Sequence, residues 1–102
     1  LEAGADKDRK KDEGYAPLHF AANENNADCL KLLLEAGADK DRANNEGAAP
    51  LHCAATEGHA DCVKLLLEAG ADKDRATNKG LAPMHCAASV GNADSLKLLL
   101  EA

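Results

Sequence analysis

Four histidines and four cysteines are the residues of this 102-residue chain best suited to chemistry, and their spacing decides what kind. His19, His52 and His85 recur at intervals of 33 residues, while His59 stands alone. A regular ladder of imidazoles suggests a metal site, an acid–base relay or a repeated structural brace. Cys29 and Cys62 are also 33 residues apart, as are Cys53 and Cys86, and such pairs raise the question of disulfides. No Cys-x-x-Cys pair is present, which leaves zinc with little support. Asp39, Asp41, Asp72 and Asp74 alternate with Lys40, Arg42, Lys73 and Arg75, a pattern that reads as a solvated, self-compensating surface. A calcium loop would need more oxygen ligands and a terminal Glu at fixed spacing. There is no nucleophile–base arrangement and no glycine-rich phosphate loop. The chain is therefore read as a non-enzyme with no catalytic residue, no cofactor and no metal.

Composition limits what can position such residues. The chain is 45% hydrophobic and 29% charged, yet has no Trp, one Tyr (Tyr15) and one Phe (Phe20). Burial must come from Leu and Ala, which suits thin, closely spaced helices. The formal charge is −6, carried by residues 11–43 and 44–76. A nucleic-acid binder needs a basic stripe against phosphates, and none exists, so nucleic acid and direct membrane binding are both disfavoured. No apolar run reaches the length of a membrane span, and no secretory leader is evident. The chain opens without Met and inside a repeat, so it is read as a segment of something longer.

The internal repetition is the decisive feature. Pro17, Pro50 and Pro83 share the histidines' 33-residue interval, as do Gly4, Gly37 and Gly70. Residues 27–43 and 60–76 differ only at Leu30 against Val63. Each period predicts two short helices and a turn. The first helix opens at the proline, which suits the first helical position because its missing N–H would be unpaired there anyway. An Ala pair follows (Ala21-Ala22, Ala54-Ala55, Ala87-Ala88), allowing close helix approach. The second helix carries Leu30, Leu33 and Leu34 at i, i+3, i+4, with Asp28, Asp61 and Asp94 in its first turn, where the helix dipole favours a carboxylate. Gly37 and Gly70 follow as residues able to take positive φ. The polar stretch after them is expected to project as a turn or hairpin. Such a unit cannot bury its apolar face alone, so the copies must stack.

The signature Gly-x-Ala-Pro-Leu-His-x-Ala-Ala, followed ten residues on by Leu-Leu-Leu-Glu-Ala-Gly-Ala-Asp, resembles the ankyrin repeat over the whole chain. The resemblance implies an all-α solenoid of stacked helix-turn-helix units with projecting hairpin loops. It divides the single domain 1–102 into a tail of a preceding repeat (1–10) and repeats at 11–43, 44–76 and 77–102, the last truncated. Three departures stand out. Ala16, Ala49 and Ala82 replace the family's usual Thr before Pro-Leu-His and remove a capping oxygen. Lys7, Lys40 and Lys73 replace an aliphatic residue, and their stems can still pack while the ammonium stays wet. Asn25-Asn26 replaces the inter-helix Gly-His kept at Gly58-His59, and Asn tolerates the left-handed conformation. In stacked repeats of this family equivalent positions lie about 10 Å apart, a helix diameter. That is too far for the histidines to share an ion, and it exceeds the Cα separation a disulfide bridges. Histidines bracing loops, and four buried, reduced thiols, are the expectation, which implies an intracellular (cytoplasmic or nuclear) reducing compartment.

Scaffold residues repeat, whereas recognition residues need not. The varying positions are Asp12, Glu13, Tyr15, Asn23 and Glu24; Asn45, Glu46, Ala48, Thr56 and Glu57; and Asn78, Lys79, Leu81, Ser89 and Val90. Ankyrin-family proteins typically bind a partner protein with the concave surface of fingers and first helices. The resemblance carries that role to these positions, with Tyr15 and Leu81 as apolar anchors and Lys10 and Lys11 as a local basic point. The alternative is a structural spacer or engineered repeat scaffold without a dedicated partner. Leu96, Leu98, Leu99 and Leu100 carry no polar capping substitution, so head-to-tail self-association through uncapped ends is also expected.

Overall fold

The computed structural model of the chain describes residues 13–102. Six helices fall into three pairs: α1 (Pro17–Asn23) with α2 (Ala27–Glu35), α3 (Pro50–Glu57) with α4 (Ala60–Glu68), and α5 (Pro83–Ser89) with α6 (Ala93–Glu101). No strand forms among the described residues. The proline sets each first helix. It pushes the preceding alanine into extended backbone, at φ −91° and ψ 164° for Ala16, so the chain enters the helix abruptly. The turn within each pair needs a left-handed residue. Gly58 and Gly91 supply it at φ 76° and 74°, and Asn25 supplies it at φ 56° in the first repeat. Asn bears the strain that glycine avoids, as expected from the sequence.

Stacking is two rows deep. α1, α3 and α5 pack side by side through the Ala pairs, while α2, α4 and α6 pack behind them. Leu18, Leu30, Leu51, Leu66, Leu99 and Val63 are fully buried between the rows, with Ala22, Ala54, Ala55 and Ala87 filling the close approaches. Each buried Leu or Val contributes about 1.5–3 kcal/mol of apolar burial. The middle repeat has a neighbour on either side and is the most buried. In the last repeat Ala88 is exposed, whereas its equivalent Ala55 is completely covered.

That gradient corrects the expectation of four buried thiols. All four cysteines are free, but only Cys53 and Cys62 are buried; Cys86 is half-buried and Cys29 exposed. Cys62 lies against the preceding repeat, its Sγ 3.8 Å from Asn25 Oδ1, and burial, then Asp61, raises its pKa. Cys29 occupies the same position of the period on the upstream face of the first described pair. A repeat position does not fix a residue's environment; its neighbours do.

The polar segments project as hairpin-like fingers, as predicted. Asn44 N–H donates to Ala48 C=O at 2.9 Å, and Thr77 N–H to Leu81 C=O at 2.9 Å. Inside the second finger Asn44 Oδ1 accepts from the N–H groups of Glu46 and Ala48, both at 2.9 Å, which holds the tip closed. Adjacent fingers are joined edge to edge. Asn45 N–H donates to Glu13 C=O at 2.8 Å, Asn78 N–H to Glu46 C=O at 2.9 Å, and Asn78 Nδ2 to Asn45 C=O at 2.9 Å. Gly47 permits this approach, because a Cβ there would meet Asn78 N at 2.8 Å. The Asp–Arg alternation at the finger bases is more than a solvated surface. Asp41 Oδ1 accepts Asp72 N–H at 2.9 Å, and Arg75 Nη1 donates to Asp41 C=O at 2.6 Å.

Candidate binding surface

The histidines position the fingers against the helices. His19 Nδ1 accepts the N–H of Ala16 at 2.9 Å. Its proton therefore sits on Nε2, which donates to Ala48 C=O in the next repeat at 2.9 Å. His52 repeats the arrangement, accepting from Ala49 N–H at 3.0 Å. It donates to a pair of carbonyls, Arg75 at 2.9 Å and Leu81 at 3.0 Å. His85 still accepts from Ala82 N–H at 3.0 Å, but its ring is exposed. A second clamp lies at the far ends of the first helices. There His59 Nε2 donates to Asn23 C=O at 3.0 Å, and Asn92 Nδ2 donates to Ala55 C=O at 2.9 Å. The sequence reading of these histidines as braces agrees with this geometry.

Burial lowers the pKa of both His19 and His52 below the ordinary 6.5, outweighing the carbonyl hydrogen bonds that raise it. Protonation would also set a second N–H against the Ala16 or Ala49 amide. The unfolded chain thus binds more protons than the folded one, and stability rises with pH. The stabilisation is complete above about pH 6.5 and is lost as pH falls through that value toward the depressed folded values. The urea midpoint is expected to drop between about pH 7.5 and about pH 5, a range in which most carboxylates stay ionised. A flat or rising midpoint on acidification would contradict the brace.

Two adjoining cavities open on the face shared by the fingers and first helices. One, of about 230 Å³, is lined by Tyr15, Asn23, Glu46, Ala48, His52, Cys53, Thr56, Glu57, Thr77 and Cys86. The other, of about 360 Å³, lies between the second and third fingers and is lined by Asn45, Glu46, Ala48, Thr77, Asn78, Lys79 and Leu81. Ten of the positions singled out by variation therefore gather around one continuous groove, with Glu46 and Ala48 shared between its halves. Glu24 instead borders a separate apolar hollow on the upstream side, with Phe20, Cys29 and Leu33. Glu13, Ser89 and Val90 are exposed and line neither half of the groove. Asp12, Lys10, Lys11 and the tail 1–10 lie outside the described residues.

Tyr15 is held in place at one end of the groove. Its ring meets His19 edge-on at 5.3 Å and lies tilted on Phe20 at 5.9 Å. Burial, then Cys53, Glu46 and Glu13, raise its pKa. Leu81 keeps 41% of its surface exposed at the other end. Sequence reasoning missed Cys53, Cys86, Thr77 and His52 as lining residues. Cys53 and Cys86 occupy the x of Pro-Leu-His-x, filled by Phe20 in the first repeat, and that change of residue was the available signal. Among the described residues no three His, Cys, Asp or Glu side chains are grouped to hold a metal ion, and no helix is long and apolar enough to cross a membrane.

Stacked helix pairs, zipped fingers and histidine braces define a helical-repeat solenoid. A family model for ankyrin repeats in three copies matches residues 1–77 and 44–102, and the chain belongs to the ankyrin repeat family. Ankyrin repeats are generally protein–protein interaction modules. Comparison with curated proteins gives no match.

Proposed function

We propose that the chain binds a partner protein through the groove between finger tips and first helices, with Tyr15 and Leu81 as its apolar anchors. The convergence of the varying positions on one groove carries this reading. Those positions differ from repeat to repeat, yet they lie together beside a fixed aromatic ring. Aromatic and large apolar side chains in a concave setting are where binding energy concentrates. The free cysteines fit a reducing, intracellular setting, and the acidic balance argues against nucleic acid and anionic membrane as direct partners. A pull-down should capture a protein with the wild-type chain and with a change at exposed Lys64 of α4, Lys64→Ala, but not with Tyr15→Ala/Leu81→Ala. Equal capture by all three, with each variant confirmed as folded, would remove the groove from consideration.

A further inference from the structure

Resting on the groove reading above, the two halves of the groove differ in chemistry, and the difference specifies an occupant. Glu46 and Glu57 line the first cavity beside Tyr15, and no Lys or Arg lines it among the described residues. Among the described residues, the one cation lining either cavity, Lys79, stands in the second, where Leu81 and Ala48 supply apolar surface. We propose that the partner presents an extended segment with one arginine in the Tyr15–Glu46–Glu57 cavity and an apolar side chain against Ala48 and Leu81.

Three features of the site favour arginine over other side chains. A guanidinium is planar and weakly hydrated, so it can lie on an aromatic ring while its N–H groups reach carboxylates. Tyr15 is held by His19 and Phe20 and needs little ordering when a cation arrives. The floor and rim add side-chain acceptors at Asn23 and Thr56, which suit a group with five donors. An acidic segment would meet like charge over the first two repeats. The order of chemistry along the array, acidic and then apolar with Lys79, also fixes direction. The partner's basic residue lies toward the first repeats and its apolar residue toward the third.

Random nonapeptides displayed on phage and selected on the whole chain test this. Selected peptides are then measured by fluorescence anisotropy against wild type, Glu46→Gln/Glu57→Gln and Leu81→Ala. Peptides carrying Arg with a nearby apolar residue should dominate. Their affinity should fall about tenfold or more in the Gln/Gln variant, and also when salt is raised from about 50 mM to about 500 mM. Selected peptides without basic residues, lost on Leu81→Ala but unchanged by Gln/Gln, would overturn the arginine assignment and leave the groove as the binding face. Binding indifferent to both variants, or no enrichment at all, would overturn both.

Discussion

His52→Ala is expected to destabilise the chain by about 3 kcal/mol or more, whereas His85→Ala should cost under about 1 kcal/mol. The two histidines occupy the same position of the period and cap their helices alike, each accepting the amide of the alanine before proline at 3.0 Å. What separates them is the next repeat. His52 is 2% exposed and holds the carbonyls of Arg75 and Leu81; His85 is exposed and reaches no such carbonyl. Removing His52 leaves an amide and two carbonyls without their partner, each worth about 1–3 kcal/mol if it stays dry. It also leaves a cavity where the ring stood. Removing His85 forfeits one water-accessible bond. Urea unfolding of the two variants measures the difference directly. Equal losses would mean that stability comes from the cap within each repeat and not from the tie between repeats.

The Ala16→Thr/Ala49→Thr/Ala82→Thr triple variant is expected to unfold at higher temperature. The structure contains half of a reciprocal cap. His19 Nδ1 accepts the Ala16 amide at 2.9 Å, but the His19 amide can turn only to the Ala16 carbonyl, also at 2.9 Å. A Thr hydroxyl would offer that amide a side-chain acceptor, worth about 0.5–2 kcal/mol per helix. Room for it differs between repeats. Ala16 and Ala82 are half-buried, but Ala49 is 1% exposed, and two added heavy atoms there must displace packed neighbours. The gain should therefore come from positions 16 and 82. A net rise of about 1–2 kcal/mol corresponds to roughly 4–16 °C for a chain of this size. An unchanged or lower midpoint in both Ala16→Thr and Ala82→Thr would show that these helix starts are already satisfied.

The period, the helix limits and the bracing histidines were legible because each follows from local chemistry repeated in register. Proline starts a helix, a residue able to take positive φ turns the chain, and an imidazole beside a helix start accepts the entering amide. Burial was not legible. Cys29 and Cys62 sit in near-identical sequence, yet one is exposed and the other covered, because cover comes from a neighbouring repeat. The Asp41–Asp72 and Arg75–Asp41 ties escaped for a similar reason. Alternating charge looks the same whether it faces water or a stacked loop. On the groove, variation found Glu46, Ala48, Thr56, Glu57 and Leu81 but passed over Cys53 and Cys86. The second and third repeats share that cysteine, and a filter that discards repeated residues discards any that repeat while lining the groove.

Amide chemical-shift mapping of the chain, titrated with a selected peptide, tests the binding face most directly. Shifts confined to Tyr15, Glu46, Ala48, Thr56, Glu57, Lys79, Leu81 and their immediate neighbours are the expected result. The amides of exposed Lys31, Lys64 and Lys97 on the second-row helices should stay where they are. Shifts concentrated along α2, α4 and α6, with the fingers unmoved, would place recognition on the opposite face and contradict the assignment of the groove.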